Sequence, residues 1–239
     1  MPSLVMTPPN DLLIGPQTFG FFDDLEGYVT GDRFTAIAAD SGASVARTDA
    51  AGGRVALTTG ATDNNEAYLG TSQEVFLFAN DKPLVFEARL QYAEANTDDA
   101  NLYVGLMDAV AANALVDDGG GPKASFSGAG FYKIDGGTRW QVISSLAANR
   151  TVTDLTAVNT LTKLAYTAGG SSFVTLRIEF MPLSSTSADV IFYINGVNVV
   201  KHQLTYTNAT EMDAVVGVKA GGANSEVVTV DYIACYQTR

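Results

Sequence analysis

Apolar and polar residues alternate with a period of two along most of the chain, and no stretch long enough shows a convincing helical period. In "PLVFEARLQY" (83–92) the inward set is Leu84, Phe86, Ala88, Leu90 and Tyr92, which leaves Glu87, Arg89 and Gln91 outside. In "FVTLRIEF" (173–180) it is Val174, Leu176, Ile178 and Phe180, with Thr175, Arg177 and Glu179 outside. Fully burying a side chain such as Phe180 is worth about 1.5 to 3 kcal/mol, so these alternations decide which face of each strand turns inward. Further strands are expected at "SVART", "RVALTT", "VFLFA", "NLYVGLMDA", "GFYKI", "RWQVISS", "DAVVGVKA" and "VVTVDYIACYQ". The turns between them are rich in Gly, Asn and Asp, as in "DAAGG" and "DDGGGP". Many antiparallel strands without intervening helices predict an all-β sandwich or jelly roll.

Two hairpins can be assigned register. "VIFYINGVNVVKH" (190–202) turns at Asn195-Gly196, a two-residue loop that places Ile194 opposite Val197, Phe192 opposite Val199, Val190 opposite Lys201 and Asp189 opposite His202. "GFYKIDGGTRWQVIS" (130–144) holds the single tryptophan. Gly136 and Gly137 suit a bulged loop of odd length, which groups Tyr132, Ile134, Trp140 and Val142 on one face and Lys133, Arg139 and Gln141 on the other. Trp140 or Tyr132 is then either a platform for a sugar ring or a core aromatic, and core aromatics dominate packing in such sandwiches.

Residues 1–19 differ from the rest. Pro2, Pro8, Pro9 and Pro16 exclude a central strand, and Leu4, Val5, Met6, Leu12, Leu13 and Ile14 stand beside a single charge, Asp11. They are expected to form an extended arm that covers apolar surface on a partner, preceding one sandwich domain over 20–239. "TAVNTLTKLAYTAGGSS" is the weakest stretch for a strand.

The 239 residues carry 26 Asp and Glu against 14 Lys and Arg, a net charge of −12. Such a surface repels phosphate backbones, and no basic cluster offsets it, so direct nucleic-acid binding is not expected. No run approaches the roughly 20 apolar residues of a membrane span, and "MPSLVMTPPND" lacks the basic and apolar regions of a signal peptide. A soluble protein without membrane contact is expected.

Candidate chemistry is sparse. His202 is the sole histidine, and opposite Asp189 it is expected to form a surface ion pair. Cys235 is the sole cysteine, a small packed residue rather than a nucleophile. A glycosidase needs two carboxylates about 5 to 9.5 Å apart, and along any single strand the nearest approach, Glu87-Arg89-Gln91, supplies one. The acidic loops "FDDLEG" (Asp23, Asp24, Glu26), "TDNNEA" (Asp63, Glu66), "NTDDAN" (Asp98, Asp99) and "VDDGGG" (Asp117, Asp118) can each offer oxygen ligands to Ca²⁺. None has the EF-hand spacing, and Asp and Asn favour turns for local hydrogen bonding in any case. The sequons at Asn149 and Asn208 mean little without a secretion signal. Neither a catalytic residue, a cofactor site nor a metal site is assigned.

The order "VTLRIEF", "ADVIFYINGVNVVKHQL", "MDAVVGVKAGGANSEVVTVDYIACYQ" resembles the closing half of concanavalin A-like and laminin-G-like jelly rolls, and "KPLVFEARLQY" with "LYVGLMDA" extends the resemblance upstream. The resemblance implies a fold shared by lectins, carbohydrate-binding modules, glucanases and adhesion domains. Its glucanase branch carries E-x-D-x-E or E-x-D-x-x-E on one strand, which this chain lacks, so no enzyme is expected. In its acidity, Pro-bearing arm and Gly/Ala/Asn-rich loops the chain is similar to virion proteins of tailed bacteriophages. That likeness implies a capsid decoration protein on the outer head surface, soluble in the host cytoplasm before assembly. Its partners would be its own copies, as a trimer, and the major capsid protein, with a surface glycan besides. The alternative is a lectin-like carbohydrate-binding module.

Overall fold

The computed structural model describes residues 17–37, 40–95, 99–108, 110–155, 166–206 and 210–239. The described residues form eighteen strands and no helix. In chain order these are β1 (Thr18–Asp23), β2 (Phe34–Ile37), β3 (Ser44–Arg47), β4 (Val55–Thr58), β5 (Glu66–Thr71), β6 (Phe76–Leu77), β7 (Leu84–Ala93), β8 (Ala100–Met107) and β9 (Leu115–Val116). They continue with β10 (Gly121–Pro122), β11 (Gly128–Lys133), β12 (Gln141–Leu146), β13 (Asn149–Asp154), β14 (Gly170–Ser184), β15 (Ser187–Ile194), β16 (Val197–Thr205), β17 (Glu211–Ala220) and β18 (Val227–Thr238).

Two large antiparallel sheets face each other. Sheet A runs β16-β15-β14-β7-β18-β4-β3 with β1 also paired to β18, and sheet B runs β13-β12-β11-β8-β17-β5-β2 with β6 also paired to β17. This is the predicted jelly-roll sandwich. The inward sets of β7 and β14 are those the alternation assigns: Leu84, Phe86, Ala88, Leu90 and Tyr92 lie in the core with Leu176, Ile178 and Phe180, against Leu102, Val104, Leu106, Val216 and Val218 of sheet B. Stacked Phe78 and Phe180 at 4.4 Å and the edge contact of Phe131 with Phe192 at 5.5 Å tie the layers together.

The Asn195-Gly196 turn forms as expected, with positive φ of 50° and 79° at its two central residues. One step beyond it the register departs from the expectation. Tyr193 pairs with Asn198, but Phe192 pairs with Val200, so Val199 is an extra residue in a β-bulge. Every later pair shifts by one: Ile191 meets Lys201, Val190 meets His202 and Asp189 meets Gln203. His202 therefore points between the sheets and is 4 % exposed, while Lys201 makes the ion pair with Asp189 at 2.9 Å.

The tryptophan hairpin also differs. Phe131 pairs with Val142 and Tyr132 with Gln141, so the connection is even, and Trp140 shares the inner face with Lys133 rather than with Tyr132. Trp140 is a core residue in edge contact with Phe131 at 6.3 Å. Lys133 is accommodated inside because its ammonium donates to the Ala100 carbonyl at 2.8 Å and pairs with Glu94 at 2.8 Å.

Candidate functional site

The outer face of sheet A is the polar surface of the sandwich. Strands β7, β14, β15 and β18 project Glu87 and Arg89, Thr175, Arg177 and Glu179, Tyr193, and Asp231 and Tyr232 away from the core. Cross-strand pairing sets Arg177 directly between Glu87 and Tyr193. A bulge at Asp231, between the pairs made by Val230 and Tyr232, changes the phase of β18. Val230 and Ile233 both point inward as a result, leaving Asp231 and Tyr232 together outside.

These residues form one continuous row. The Tyr232 hydroxyl donates to Glu87 at 2.7 Å, Arg177 stands 3.9 Å from Glu87 and donates to Glu179, and the Tyr193 hydroxyl donates to Glu179 at 3.0 Å. Burial, reinforced by the adjacent carboxylates, pushes both tyrosine pKa values up, so both phenols remain proton donors in neutral solution. A second cluster adjoins the row. Asp231 accepts from Arg89 and lies 3.7 Å from Arg54, and the two guanidinium groups stand 4.3 and 4.9 Å from the Phe173 ring centre.

Arg54 also lines a pocket of about 560 Å³ between the loop after β1 and the β3–β4 connection. Asp24, Glu26, Asp49 and Arg47 supply its other charged groups, and Ala50, Ala51 and Gly52 leave it roomy. Gly53 permits the close approach of the two loops, since a Cβ there would fall 2.5 Å from the Asp24 carbonyl oxygen and φ is +71°.

The outer face of sheet B is not open. Residues 110–127, carrying β9 and β10, cross it as a strap over Tyr68, Tyr103, Met107, Tyr132, Ile143 and Val215. Fully buried Lys219 anchors the strap, donating to Asn113 Oδ1 at 2.8 Å and the Leu115 carbonyl at 3.0 Å and pairing with Asp117 at 2.5 Å and Glu66 at 3.5 Å. The Tyr68 hydroxyl donates to Glu66 at 2.6 Å and accepts from the Leu115 amide at 3.1 Å. Glycines let the rings lie flat on the sheet: a Cβ at Gly217 would meet Tyr68 at 2.3 Å, and one at Gly130 would meet Tyr103 at 2.4 Å.

The residues singled out from sequence fall as follows. Tyr132 is buried beneath the strap and Trp140 lies between the sheets, so neither is an exposed sugar platform. His202 is held by Ser144 and Thr153 hydroxyls, each at 3.0 Å from a ring nitrogen, and burial lowers its pKa to about 4. Cys235 is packed in the core and burial pushes its thiol pKa well up. Asp23 pairs with Arg33 at 3.2 Å, and Asp118 exchanges hydrogen bonds with Asn64. Among the described residues no group of three or more His, Cys, Asp or Glu is arranged to hold a metal ion. Leu4, Val5, Met6, Leu12, Leu13, Ile14, Asp98 and Asn208 lie outside the described residues. The pairing of Glu87 with Glu179 around Arg177 escapes a search along single strands, because β7 and β14 contribute one carboxylate each.

No protein-family model matches the chain. No curated protein matches it either. Solved structures do. The endo-1,3-β-glucanase of Streptomyces sioyaensis superposes with a TM-score of 0.61 at 14% identity, over 94% of this chain and 98% of that one. The endo-β-1,4-glucuronan lyase of the fungus Trichoderma reesei gives 0.60 at 10% identity, over 90% and 94%. The Emp47p carbohydrate recognition domain gives 0.57 at 13% identity, over 93% and 96%. These likenesses establish a concanavalin A-like, lectin-type jelly roll. They also correct the expectation that the chain is no enzyme: a lyase and a glucanase share this sandwich, so a missing E-x-D-x-E strand does not rule catalysis out. The bacteriophage part of the sequence resemblance finds no support in these comparisons.

Proposed function

We propose that this is a lectin-like carbohydrate-binding protein that takes a polysaccharide across the outer face of sheet A. The observation that carries the reading is the row Tyr232-Glu87-Arg177-Glu179-Tyr193, a partly exposed series of alternating donors and acceptors fixed by three hydrogen bonds and the Arg177–Glu87 ion pair. A sugar hydroxyl both donates and accepts, and a surface already ordered loses little side-chain entropy on binding it. The adjoining pocket at Arg54 extends the surface past the end of the row. The fold supports the reading, since the Emp47p domain of the same architecture is a carbohydrate recognition domain.

The test is retention on a panel of immobilised polysaccharides and a glycan array, with Arg177→Gln and Glu87→Gln as variants. Binding that weakens at least about tenfold, or about 1.4 kcal/mol, in each variant supports the assignment. Absence of binding to every glycan, or binding indifferent to both substitutions, overturns it.

A second reading, cleavage of the bound polysaccharide, is favoured by one feature: each of the two carboxylates takes a hydrogen bond from a tyrosine hydroxyl, a pairing suited to proton transfer. Release of reducing ends that Tyr232→Phe abolishes while retention persists would move the assignment to an enzyme. Attachment to a bacteriophage head rests on the acidity, the amino-terminal sequence and the Gly/Ala/Asn-rich loops, and co-sedimentation with capsids tests it.

A further inference from the structure

The charges on the outer face of sheet A compensate one another. Arg54, Arg89, Arg177 and Lys201 stand against Glu87, Glu179, Asp189 and Asp231, and each of the eight makes an ion pair within the set. Glu87 and Arg177 are themselves mostly buried, so releasing one from the other strands a charge that water reaches poorly. The rest of the surface is strongly acidic, and the adjoining pocket adds Asp24, Glu26 and Asp49 against Arg47.

We infer that the polysaccharide this face accepts is a neutral one, and that the self-paired arginines exclude uronate polymers. The inference rests on the carbohydrate-binding reading above. A polymer bearing a carboxylate on each sugar finds the charge of these guanidinium groups already balanced by Asp231, Glu87 and Glu179, and it is repelled by those same carboxylates and by the net charge of −12. A neutral sugar meets no such penalty. Its hydroxyls donate to spare carboxylate lone pairs and accept from the guanidinium hydrogens without disturbing any ion pair. Asp231 is the critical balance point, because it alone holds both Arg54 and Arg89.

The experiment measures affinity for neutral and uronate polysaccharides at about 20 mM and about 300 mM salt, where the screening length falls severalfold. The expected result is neutral-glycan affinity that changes less than about twofold with salt, and no uronate binding at either concentration. Asp231→Asn, which frees two guanidinium groups, is expected to gain uronate binding that weakens at least about fivefold at the higher salt. Salt-sensitive uronate binding by the unaltered protein, lost in Arg177→Gln, would overturn the inference while leaving the carbohydrate reading intact. Failure of Asp231→Asn to gain it shows that pairing is not what excludes the anion, and the inference falls. Absence of binding to any glycan removes both readings.

Discussion

Replacing His202 by glutamine isolates a pH-dependent contribution that the fold builds around one imidazole. The ring lies between the sheets, 5.2 Å from Phe192, and among the described residues its nitrogens meet the Ser144 and Thr153 hydroxyls, neither of which offsets a positive charge. Burial lowers its pKa from 6.5 to about 4. A depressed histidine pKa means that the unfolded chain binds the proton more tightly, so the contribution is intact above about pH 6.5 and is lost as pH falls toward 4. At about 1.4 kcal/mol per pH unit the loss is roughly 2 kcal/mol at pH 5 and roughly 3 kcal/mol below pH 4. Asp213 works in the opposite sense. Burial raises its pKa from 3.8 to about 6, which makes the fold roughly 1 kcal/mol more stable at pH 5 than the histidine alone would leave it. The unaltered protein should therefore show a shallow profile, and only its difference from His202→Gln exposes the histidine. Urea unfolding followed by fluorescence of the buried Trp140, at pH 7.5 and 5.0, is the assay. The stability gap between the two proteins should shift by roughly 2 kcal/mol toward the variant at the lower pH. A gap that stays constant within about 0.5 kcal/mol would refute a buried, proton-excluding His202.

Gly196→Val should destabilise the fold by more than about 1 kcal/mol, since open space surrounds the position and the cost comes from φ of +79° alone; an unchanged urea midpoint would sink the turn argument. Lys219→Met strands the Glu66 carboxylate beneath the strap and should cost about 3 to 5 kcal/mol, with faster proteolysis within 110–127; cleavage at the original rate would show that the strap is held otherwise. Deleting residues 1–16 should leave the β circular-dichroism spectrum in place and reduce self-association in sedimentation, because Leu4, Val5, Met6, Leu12, Leu13 and Ile14 stand there beside a single charged side chain, Asp11; unaltered association would dismiss the arm as a partner contact.

Strands with one dry and one wetter face were legible from alternation: β15 alternates at every position and β7 over its second half. Strand β5 was not, because the strap covers its outer face and all six of its residues are buried, which erases the alternation. Strand β13 fails in the opposite way: as an edge strand it is exposed at nearly every position. The odd-length loop expected from Gly136 and Gly137 misphases the tryptophan hairpin, because the pairing is even and carries Lys133 inside, where Glu94 pairs with it. The polar residues of the candidate site were legible as the outward set of β7 and β14. Their partners on β15 and β18 were not, since Tyr193 and Tyr232 are ordinary strand tyrosines until pairing places them beside Glu179 and Glu87.

Two bulges, at Val199 and Asp231, decide which residues the outer face of sheet A presents. A strand's phase changes by one residue at a bulge, so one inserted residue exchanges inside for outside for everything beyond it. At Val199 the exchange sends the histidine inward and delivers Lys201 to Asp189, so the surface ion pair expected for this position exists with a different cation. At Asp231 it holds two successive residues outside, and each completes a cluster: Asp231 binds Arg54 and Arg89, and Tyr232 caps the row at Glu87. Without that second bulge, a strand that keeps Val230 inside would carry Tyr232 into the core and leave Glu87 without its hydroxyl donor. The charge balance and the hydrogen-bonded row of the outer face thus depend on one local irregularity, whose energetic cost in lost ladder bonds is compensated by the polar contacts it makes possible.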